Sequence, residues 1–288
     1  MTSTTFLKRL AVPVCSLAAL LSAGSVLAQS ASPAQALLDN AWVMNLGAFV
    51  VSTDLDGSLN GQSGTNPGVD FDRSFGKGED ATRLRGDVLW RITPAHHLRF
   101  MYFNNSSDRS RVLDAPIAWG DYTFNAGSRV DLKYEFEVYE LAYEWAFIRQ
   151  PSYELAATIG VHYSETTLRL SGAASITDAN GNVTNVSAAT KNSTLPAPLP
   201  VIGLRAGWVI APQWYLDAQA QFFKVNVDGY DGRWTDLRLG ATWMFSQHFG
   251  LGLGYNRFST DVDIDRGAFN GGLKSNYSGL QAYLTGTF

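Results

Sequence analysis

Apolar residues alternate with small or polar residues along most of the chain. The clearest segment runs from Trp214 to Phe222, where every second residue is apolar or alanine and Asp217 and two glutamines lie between. The same period of two recurs in residues 139–147, 155–163 and 237–245. Successive side chains of a strand point to opposite faces, so each segment predicts a β-strand with one apolar face. Repeated segments of about ten such residues are typical of a membrane-spanning barrel.

The pattern predicts an all-β fold, a transmembrane antiparallel up-and-down β-barrel of about ten strands. The segments lie near residues 41–54, 81–92, 98–110, 130–148, 153–170, 197–210, 214–228, 233–246, 249–262 and 277–288. An eight-stranded barrel is the alternative, because the segments at 98–110 and 249–262 have shorter apolar faces.

The predicted connections are of two kinds. Short turns are expected at 93–97, 149–152, 211–213 and 246–248. Long loops are expected on the other side at about 55–80, 111–129, 171–196 and 263–276, together with a tight hairpin at 228–232. Outer-membrane barrels have short periplasmic turns and long extracellular loops. With an even number of strands, we therefore expect both chain termini in the periplasm.

Composition excludes several other classes of protein. Of the 288 residues 45% are hydrophobic and only 17% are charged. No segment after residue 30 has the roughly 20 apolar residues that a transmembrane helix needs. The 8 Trp, 12 Tyr and 16 Phe exclude a disordered chain. A net charge of -4, with no basic cluster longer than Lys8-Arg9, argues against a nucleic-acid partner.

The N-terminal region is typical of an exported protein. Residues 1–28 are predicted to be a secretory signal, with Lys8 and Arg9 before an apolar stretch and small residues before Gln29. Residues 29–40 are predicted to be a short periplasmic leader, and residues 41–288 the barrel. Together these features predict the outer membrane of a Gram-negative cell.

Four motifs carry a family resemblance. They are Trp90-Arg91-Ile92-Thr93-Pro94 with His97-Leu98-Arg99, Pro200-Val201-Ile202-Gly203-Leu204-Arg205, Thr235-Asp236-Leu237-Arg238-Leu239-Gly240, and Gly252-Leu253-Gly254-Tyr255-Asn256-Arg257-Phe258. The chain resembles, from about residue 41 to 288, a family of uncharacterised proteobacterial outer-membrane β-barrel proteins, in the style of the small OmpA and OmpX barrels. The resemblance implies the fold and the location, but no reaction.

Charged residues whose parity points them into the barrel are the main candidate site. They are Arg83, Arg85, Asp87, Arg91, Arg99, Glu140, Glu144, Arg205, Asp217, Asp236 and Arg238. An unpaired charge in a confined interior costs several kcal/mol, so we expect these groups to form a paired network. In particular, we expect Glu144 to lie within salt-bridge distance of Arg99 or Arg91. A polar path for small solutes is the alternative interpretation.

Two enzyme classes are alternatives. His162 and Ser164 are spaced like the His-x-Ser pair of barrel lipid-A deacylases, but their parity turns them inward, which favours a polar pair in the lumen. An omptin-like protease would need rim acids and a rim histidine. Candidate acids are Asp54, Asp56, Asp228 and Asp231, whereas His96, His97 and His248 fall in predicted periplasmic turns.

Asp261, Asp263 and Asp265 resemble the start of a calcium loop, but Arg266 takes the position that requires glycine. A strand face with three aspartates explains the spacing better, and a weak cation bridge to lipopolysaccharide phosphates is the alternative. We expect no metal and no cofactor.

The sequence therefore predicts an integral outer-membrane barrel that is a structural element or a narrow pore for small solutes, not an enzyme. The expected partners are outer-membrane lipid, lipopolysaccharide, and the barrel-assembly machinery. The last of these is expected because the final strand ends in Phe288 with Leu280, Ala282 and Leu284 on one parity. We expect the protein to be a monomer.

Overall fold

The computed structural model describes residues 32–60, 69–70, 74–75, 81–119, 121–227, 230–266 and 269–288. The predicted signal sequence lies outside these residues. Within them, no helix is long and apolar enough to cross a membrane.

Ten long strands form the barrel wall. They are β1 (Trp42–Asn60), β3 (Ala81–Arg91), β4 (His96–Val112), β7 (Arg129–Gln150), β8 (Tyr153–Thr177), β9 (Val183–Ala211), β10 (Trp214–Val227), β11 (Tyr230–Met244), β12 (Phe249–Arg266) and β13 (Phe269–Thr287). The short strands are β2 (Val69–Asp70), β5 (Ile117–Trp119) and β6 (Tyr122–Phe124). A 3₁₀ turn (Pro33–Gln35) and helix α1 (Ala36–Asp39) precede the barrel.

Each long strand pairs with its two neighbours along the chain, and β13 pairs with β1, so the sheet closes on itself. All pairings are antiparallel, and the seam between the first and last strands runs from Val43 opposite Thr287 to Asn60 opposite Asn270. The up-and-down barrel and its ten strands are confirmed, and the eight-stranded alternative is wrong.

Most of the segments predicted to be long loops consist partly or largely of β-strand. β8 and β9 continue through the predicted 171–196 loop to a turn at residues 178–182, and β1, β12 and β13 are likewise longer than predicted. The predicted 111–129 loop contains β5 and β6. Pairing satisfies the backbone N–H and C=O groups, so a hairpin remains strand-like beyond the membrane when its side chains can pack.

The apolar face of the long strands changes from the outside of the barrel to the inside at one level. In β7, Tyr139 and Leu141 point outward and Glu140 inward, whereas farther toward the long-loop end Phe136 points inward and Glu137 outward. The parity of the strand is unchanged, so the medium outside the wall must change from lipid to water at this level. The exchange of faces therefore marks the outer surface of the membrane, and we call this level the collar.

Aromatic side chains fill the barrel above the collar. Phe258 packs on Tyr277 at 4.5 Å and on Trp234 at 5.2 Å between ring centroids, and Phe136 lies 5.6 Å from Phe258. The segment containing β5 and β6 adds Leu113, Ile117, Trp119 and Phe124 to this cluster, all of them buried. The predicted polar lumen is therefore confined to the part of the barrel below the aromatic cluster.

The segment before β1 closes the short-turn end. Leu37 and Leu38 are buried and belong to a cluster with Val43, Leu89, Tyr215 and Met244 of the wall. The backbone N–H of Ala34 donates to Pro212 O at 3.0 Å. We call residues 33–40 the N-terminal plug.

β9 has one long unpaired edge within the described residues. It pairs with β8 over most of its length, but with β10 only between Ile202 and Ala211. The Val209 N–H donates to Ser152 O, on the β8 side of the strand. Alternate residues of a strand direct their N–H groups to opposite sides, so the odd-numbered residues of β9 direct theirs toward β8 and the even-numbered residues direct theirs away from it. Pro198 and Pro200 therefore occupy positions where a missing N–H faces the free edge, which is where a strand tolerates proline.

Candidate functional site

The predicted lumen charges are brought together below the aromatic cluster. The side chains of Arg85, Asp87, Arg91, Arg99, Glu140, Glu144, Arg205 and Asp236 are buried, and those of Asp217 and Arg238 are nearly so. Arg83 is half-buried at the upper edge of the group and donates to Asn105 Oδ1 at 3.1 Å.

Glu144 is the centre of the network. Its Oε1 accepts from Arg99 Nε at 2.5 Å and its Oε2 from Arg205 Nε at 2.7 Å. The side chain is 0% exposed, so two guanidinium groups replace its hydration. The predicted pair between Glu144 and Arg99 is confirmed, because β4 and β7 are neighbours and both residues point inward.

Several bonds cross the lumen between strands that are not neighbours. Arg238 Nη1 donates to Asp87 Oδ1 at 3.1 Å, and Arg85 Nη1 to Asn256 Oδ1 at 3.0 Å. Arg99 Nη1 lies 3.5 Å from the other oxygen of Asp87, so Asp87 joins Arg238 to the Glu144 centre. Higher up, Gln221 Nε2 donates to Glu140 Oε1 at 2.6 Å. The bonds of Arg238, Arg85 and Gln221 cross the interior between strands three or four positions apart in the ring of ten, which a wide water-filled channel would keep apart.

The network also holds the N-terminal plug. Arg91 donates to the backbone oxygens of Leu37 at 2.7 Å and Asn40 at 3.0 Å. Arg149 donates to Leu38 O at 2.7 Å and pairs with Asp39 at 2.8 Å. Arginine is suited to this role because its guanidinium carries five N–H donors and binds carbonyl and carboxylate oxygens together.

Sequence reasoning missed Glu154, which is fully buried. It pairs with Arg205 and lies 3.2 Å from Arg149 and 4.0 Å from Arg91, so it connects the plug to the centre of the network. Glu154 lies on the same inward face of β8 as Ala156 and Thr158. Extending that face by one more alternate residue toward the short turn would have predicted it.

The prediction that His97 lies in a turn is wrong, because His97 is an inward-pointing residue of β4. It is 0% exposed, and its ring nitrogens lie 3.9 Å from Glu144 and from Glu154. The turn closes earlier than predicted, since Ile92 N–H already donates to His96 O. His96 is exposed and contacts the Tyr143 hydroxyl at 2.6 Å.

The candidate hydrolase pair faces the lumen and is buried. His162 Nε2 lies 3.0 Å from Glu140 Oε2, although its ring geometry leaves both nitrogens without an aligned hydrogen bond. Trp234 covers the imidazole at 3.9 Å between ring centroids. Ser164 is buried on the same strand face. Aromatic packing thus separates this pair from the outer rim, where a peptide would arrive, and the barrel wall separates it from lipid.

Of the four candidate omptin acids, Asp231 is the one whose side chain the structure describes. The side chains of Asp54 and Asp56 and the residue Asp228 lie outside the described positions. Asp231 accepts from Asn226 Nδ2 at 2.9 Å. Among the described residues, no group of three or more metal-ligating side chains is placed to hold a metal ion.

The space left inside the network is small. Two polar cavities are present among the described residues, with volumes of about 30 and 10 Å³, and the larger is lined by Asp87, Arg99, Arg205 and Arg238 among others. Several buried polar atoms there have no protein partner, including Arg85 Nε, Arg91 Nε and Gln219 Oε1. A cavity of about 10–15 Å³ can hold a water molecule, so these two cavities are large enough for individual waters.

Two aspartates outside the membrane, Asp121 and Asp178, stabilise extracellular parts of the barrel through hydrogen bonds. The Lys191 ammonium, 2.7 Å from Asp121 Oδ1, lowers the pKa of that carboxyl by hydrogen bonding. Asp178 accepts from the Asn182 side chain and from the backbone N–H groups of Asn180 and Asn182, and these bonds lower its pKa. Both acids order strand ends that the sequence predicted to be loops.

No protein-family model matches the sequence, and no curated protein is significantly similar to it. Among solved structures, the outer membrane protease OmpT from Escherichia coli aligns with 87% of this chain and 97% of its own, at 13% identity and a TM-score of 0.55. The toluene transporter TodX of P. putida aligns with 89% of this chain and 92% of its own, at 9% identity and a TM-score of 0.36. Ail of Yersinia pestis aligns with 84% and 97%, at 5% identity and a TM-score of 0.31.

The similarity to OmpT shows a shared fold and nothing of its activity. The exterior of the barrel supplies the physical argument for location, since Leu253 and Leu280 are 70% and 68% exposed in a belt of apolar side chains. Such a belt is stable only against lipid. The closed sheet and its apolar belt identify the chain as an integral β-barrel of the outer membrane.

Proposed function

We propose that this protein is a structural barrel of the outer membrane with a sealed lumen, and that it is neither a solute pore nor an enzyme. The cross-lumen bonds carry this proposal. Three bonds each join strands three or four positions apart across the interior: Arg238 with Asp87, Arg85 with Asn256, and Gln221 with Glu140. A ten-stranded barrel has a narrow interior, so a few such bridges are enough to fill it.

Closure at both ends supports the same conclusion. The N-terminal plug covers the short-turn end, and the aromatic cluster with the β5–β6 hairpin covers the long-loop end. A hydrated ion would have to displace at least three layers of packed side chains. The narrow-pore alternative is favoured by the unpaired buried polar atoms, and the larger of the two cavities can hold water beside one of them, Arg91 Nε.

The burial of His162 beneath Trp234 supports a role other than catalysis. Catalysis needs a substrate within hydrogen-bond reach of the acid or base, and the packed interior provides no such path. The exposed parts of the protein are then the lipid belt and the strand extensions outside the cell. These surfaces suit a barrel that has a structural role or that displays its strand extensions at the cell surface.

Planar-bilayer conductance of the folded full chain tests this proposal. We expect no conductance steps from the wild type, and steps from a variant in which Arg91→Ala and Arg149→Ala release the plug while Asp87→Asn and Glu144→Gln weaken the cross-lumen network. Arg169→Gln, on the outward face of β8, is the control and should stay silent. Regular steps from the wild type would contradict a sealed lumen.

A further inference from the structure

Charges at the collar are distributed unequally around the barrel. Just above the apolar belt, the first charged outward-facing residues are Glu137 on β7 and Glu165 on β8, but Lys224 on β10 and Arg257 on β12. Each of the two cations follows an outward aromatic residue by two positions, since Phe222 and Tyr255 end the belt on those strands. The collar therefore has an acidic side and a basic side.

The basic side continues into the strands above. Lys224 is exposed and lies directly opposite Arg233 of β11. Arg233 is 67% exposed and forms a 3.4 Å pair with Asp261, which only partly neutralises the group. These cations stand at the depth of lipid headgroups, where long basic side chains reach phosphate oxygens while their stems lie on apolar surface.

An apolar groove lies below this group on the same part of the wall. Its volume is about 640 Å³, within the range of ligand-binding clefts. Ala241 and Ala282 flank Leu253, and Ala48 lies opposite Ala282 on the next strand. The neighbouring row toward the periplasm consists of large side chains, including Trp214 and Trp243. Small residues between bulkier ones produce a hollow in the lipid-facing surface.

The groove and the cations lie at two depths that a single lipid molecule can span. Leu253 and Arg257 are four residues apart on β12, which is roughly 13 Å along a strand at 3.3 Å per residue. With the usual tilt of about 40°, the groove lies about 10 Å below the collar. The hydrocarbon core of one leaflet is about 15 Å deep, so a chain from an outer-leaflet lipid reaches the groove.

We propose that β10–β13 and β1 form a binding site for the lipid A part of lipopolysaccharide in the outer leaflet. Lys224, Arg233 and Arg257 contact its phosphate groups, and the groove around Ala282 receives an acyl chain. The acidic side of the collar repels the same headgroup, so one lipid position is selected on the barrel circumference. This site rests on the membrane location and orientation of the barrel, not on closure of its lumen.

Native mass spectrometry of the folded protein with added lipid A tests this site. Two variants address it: Lys224→Gln with Arg257→Gln removes charge, and Ala282→Leu fills the groove. Their matched controls are Arg169→Gln and Ala157→Leu, which alter the same residue types on the outward face of β8. Dephosphorylated lipid A separates the phosphate contribution from the acyl contribution. Gel migration without boiling shows that each variant is folded.

We expect the double charge variant to bind lipid A on the order of tenfold more weakly, and to bind dephosphorylated lipid A as the wild type does. We expect Ala282→Leu to weaken binding of both lipids, and both controls to bind normally. Equal binding by the wild type and the two site variants would overturn the proposal, as would equal loss in the controls. Conductance by a barrel that still binds lipid A would contradict only the sealed lumen.

Discussion

Arg238 and Asp87 meet across the lumen, with 3.1 Å between Arg238 Nη1 and Asp87 Oδ1, although 151 residues separate them in the chain. Their strands, β11 and β3, are four positions apart in a ring of ten. The same arginine also reaches Asp217 at 3.4 Å. This contact makes the interior of the barrel part of its stabilising structure.

A double-mutant cycle on this pair should show positive coupling. Arg238→Gln, Asp87→Asn and the double variant are compared by urea unfolding of the protein in lipid vesicles. We expect a coupling energy of about 1–3 kcal/mol, because both groups are buried and each single change removes one charged partner of the other. Additive effects of the two substitutions would mean that water screens the pair.

Glu144→Gln should destabilise the barrel by about 3 kcal/mol, because it leaves Arg99 and Arg205 buried together without their shared carboxylate. The same urea titration measures this change. Glu135→Gln is the control, since Glu135 pairs with Lys133 on the surface with both side chains 45% exposed. We expect about 0.5 kcal/mol or less there. A loss as small at Glu144 would indicate a hydrated lumen.

Arg149→Ala should loosen the N-terminal plug while the wall remains folded. The substitution removes the bonds to Leu38 O and Asp39, and Arg91 still holds Leu37 and Asn40. We expect hydrogen exchange at residues 36–40 to accelerate by at least tenfold. Exchange in the centre of β12 should stay unchanged and serves as the internal control. Unchanged protection of residues 36–40 would show that hydrophobic packing alone retains the plug.

The turn between β8 and β9 should lose order in acid. Hydrogen bonds to the charged carboxylate hold the pKa of Asp178 below its ordinary value of 3.8. The resulting stabilisation is fully present above that ordinary value and is lost as the pH falls through the lower folded pKa. Amide chemical shifts of Asn180 and Asn182 measure the transition. In Asp178→Asn the shifts should not titrate with this pKa, and a titration that persists would assign it to another group.

Restoring donors on the free edge of β9 should promote association. Pro198→Val with Pro200→Val supplies two N–H groups facing away from β8, and an unpaired strand edge with donors is a template for another chain. We expect the wild type to be a monomer and the variant to form dimers in analytical ultracentrifugation in detergent. Pro212→Val, in a short turn away from this edge, is the control. A monomeric variant would show that other features protect the edge.

The alternating pattern alone predicted much of the fold. A strand has only two faces, so apolar and polar parity determined which residues face lipid and which face the lumen, and segments such as 214–222 defined the strands closely. The pair between Glu144 and Arg99 also followed from sequence, because both residues were assigned inward-facing positions at a comparable depth, near the periplasmic ends of two adjacent strands.

Only the tertiary structure decided which charges meet across the barrel and what closes its ends. Arg238 with Asp87 depends on the number of strands, the stagger at closure and the length of each side chain, and parity contains none of these. The exchange of apolar and polar residues between the two faces above Tyr139 likewise reflects a change of surrounding medium, from lipid to water. Local periodicity records side-chain direction, whereas long-range contacts arise only after the ring has closed.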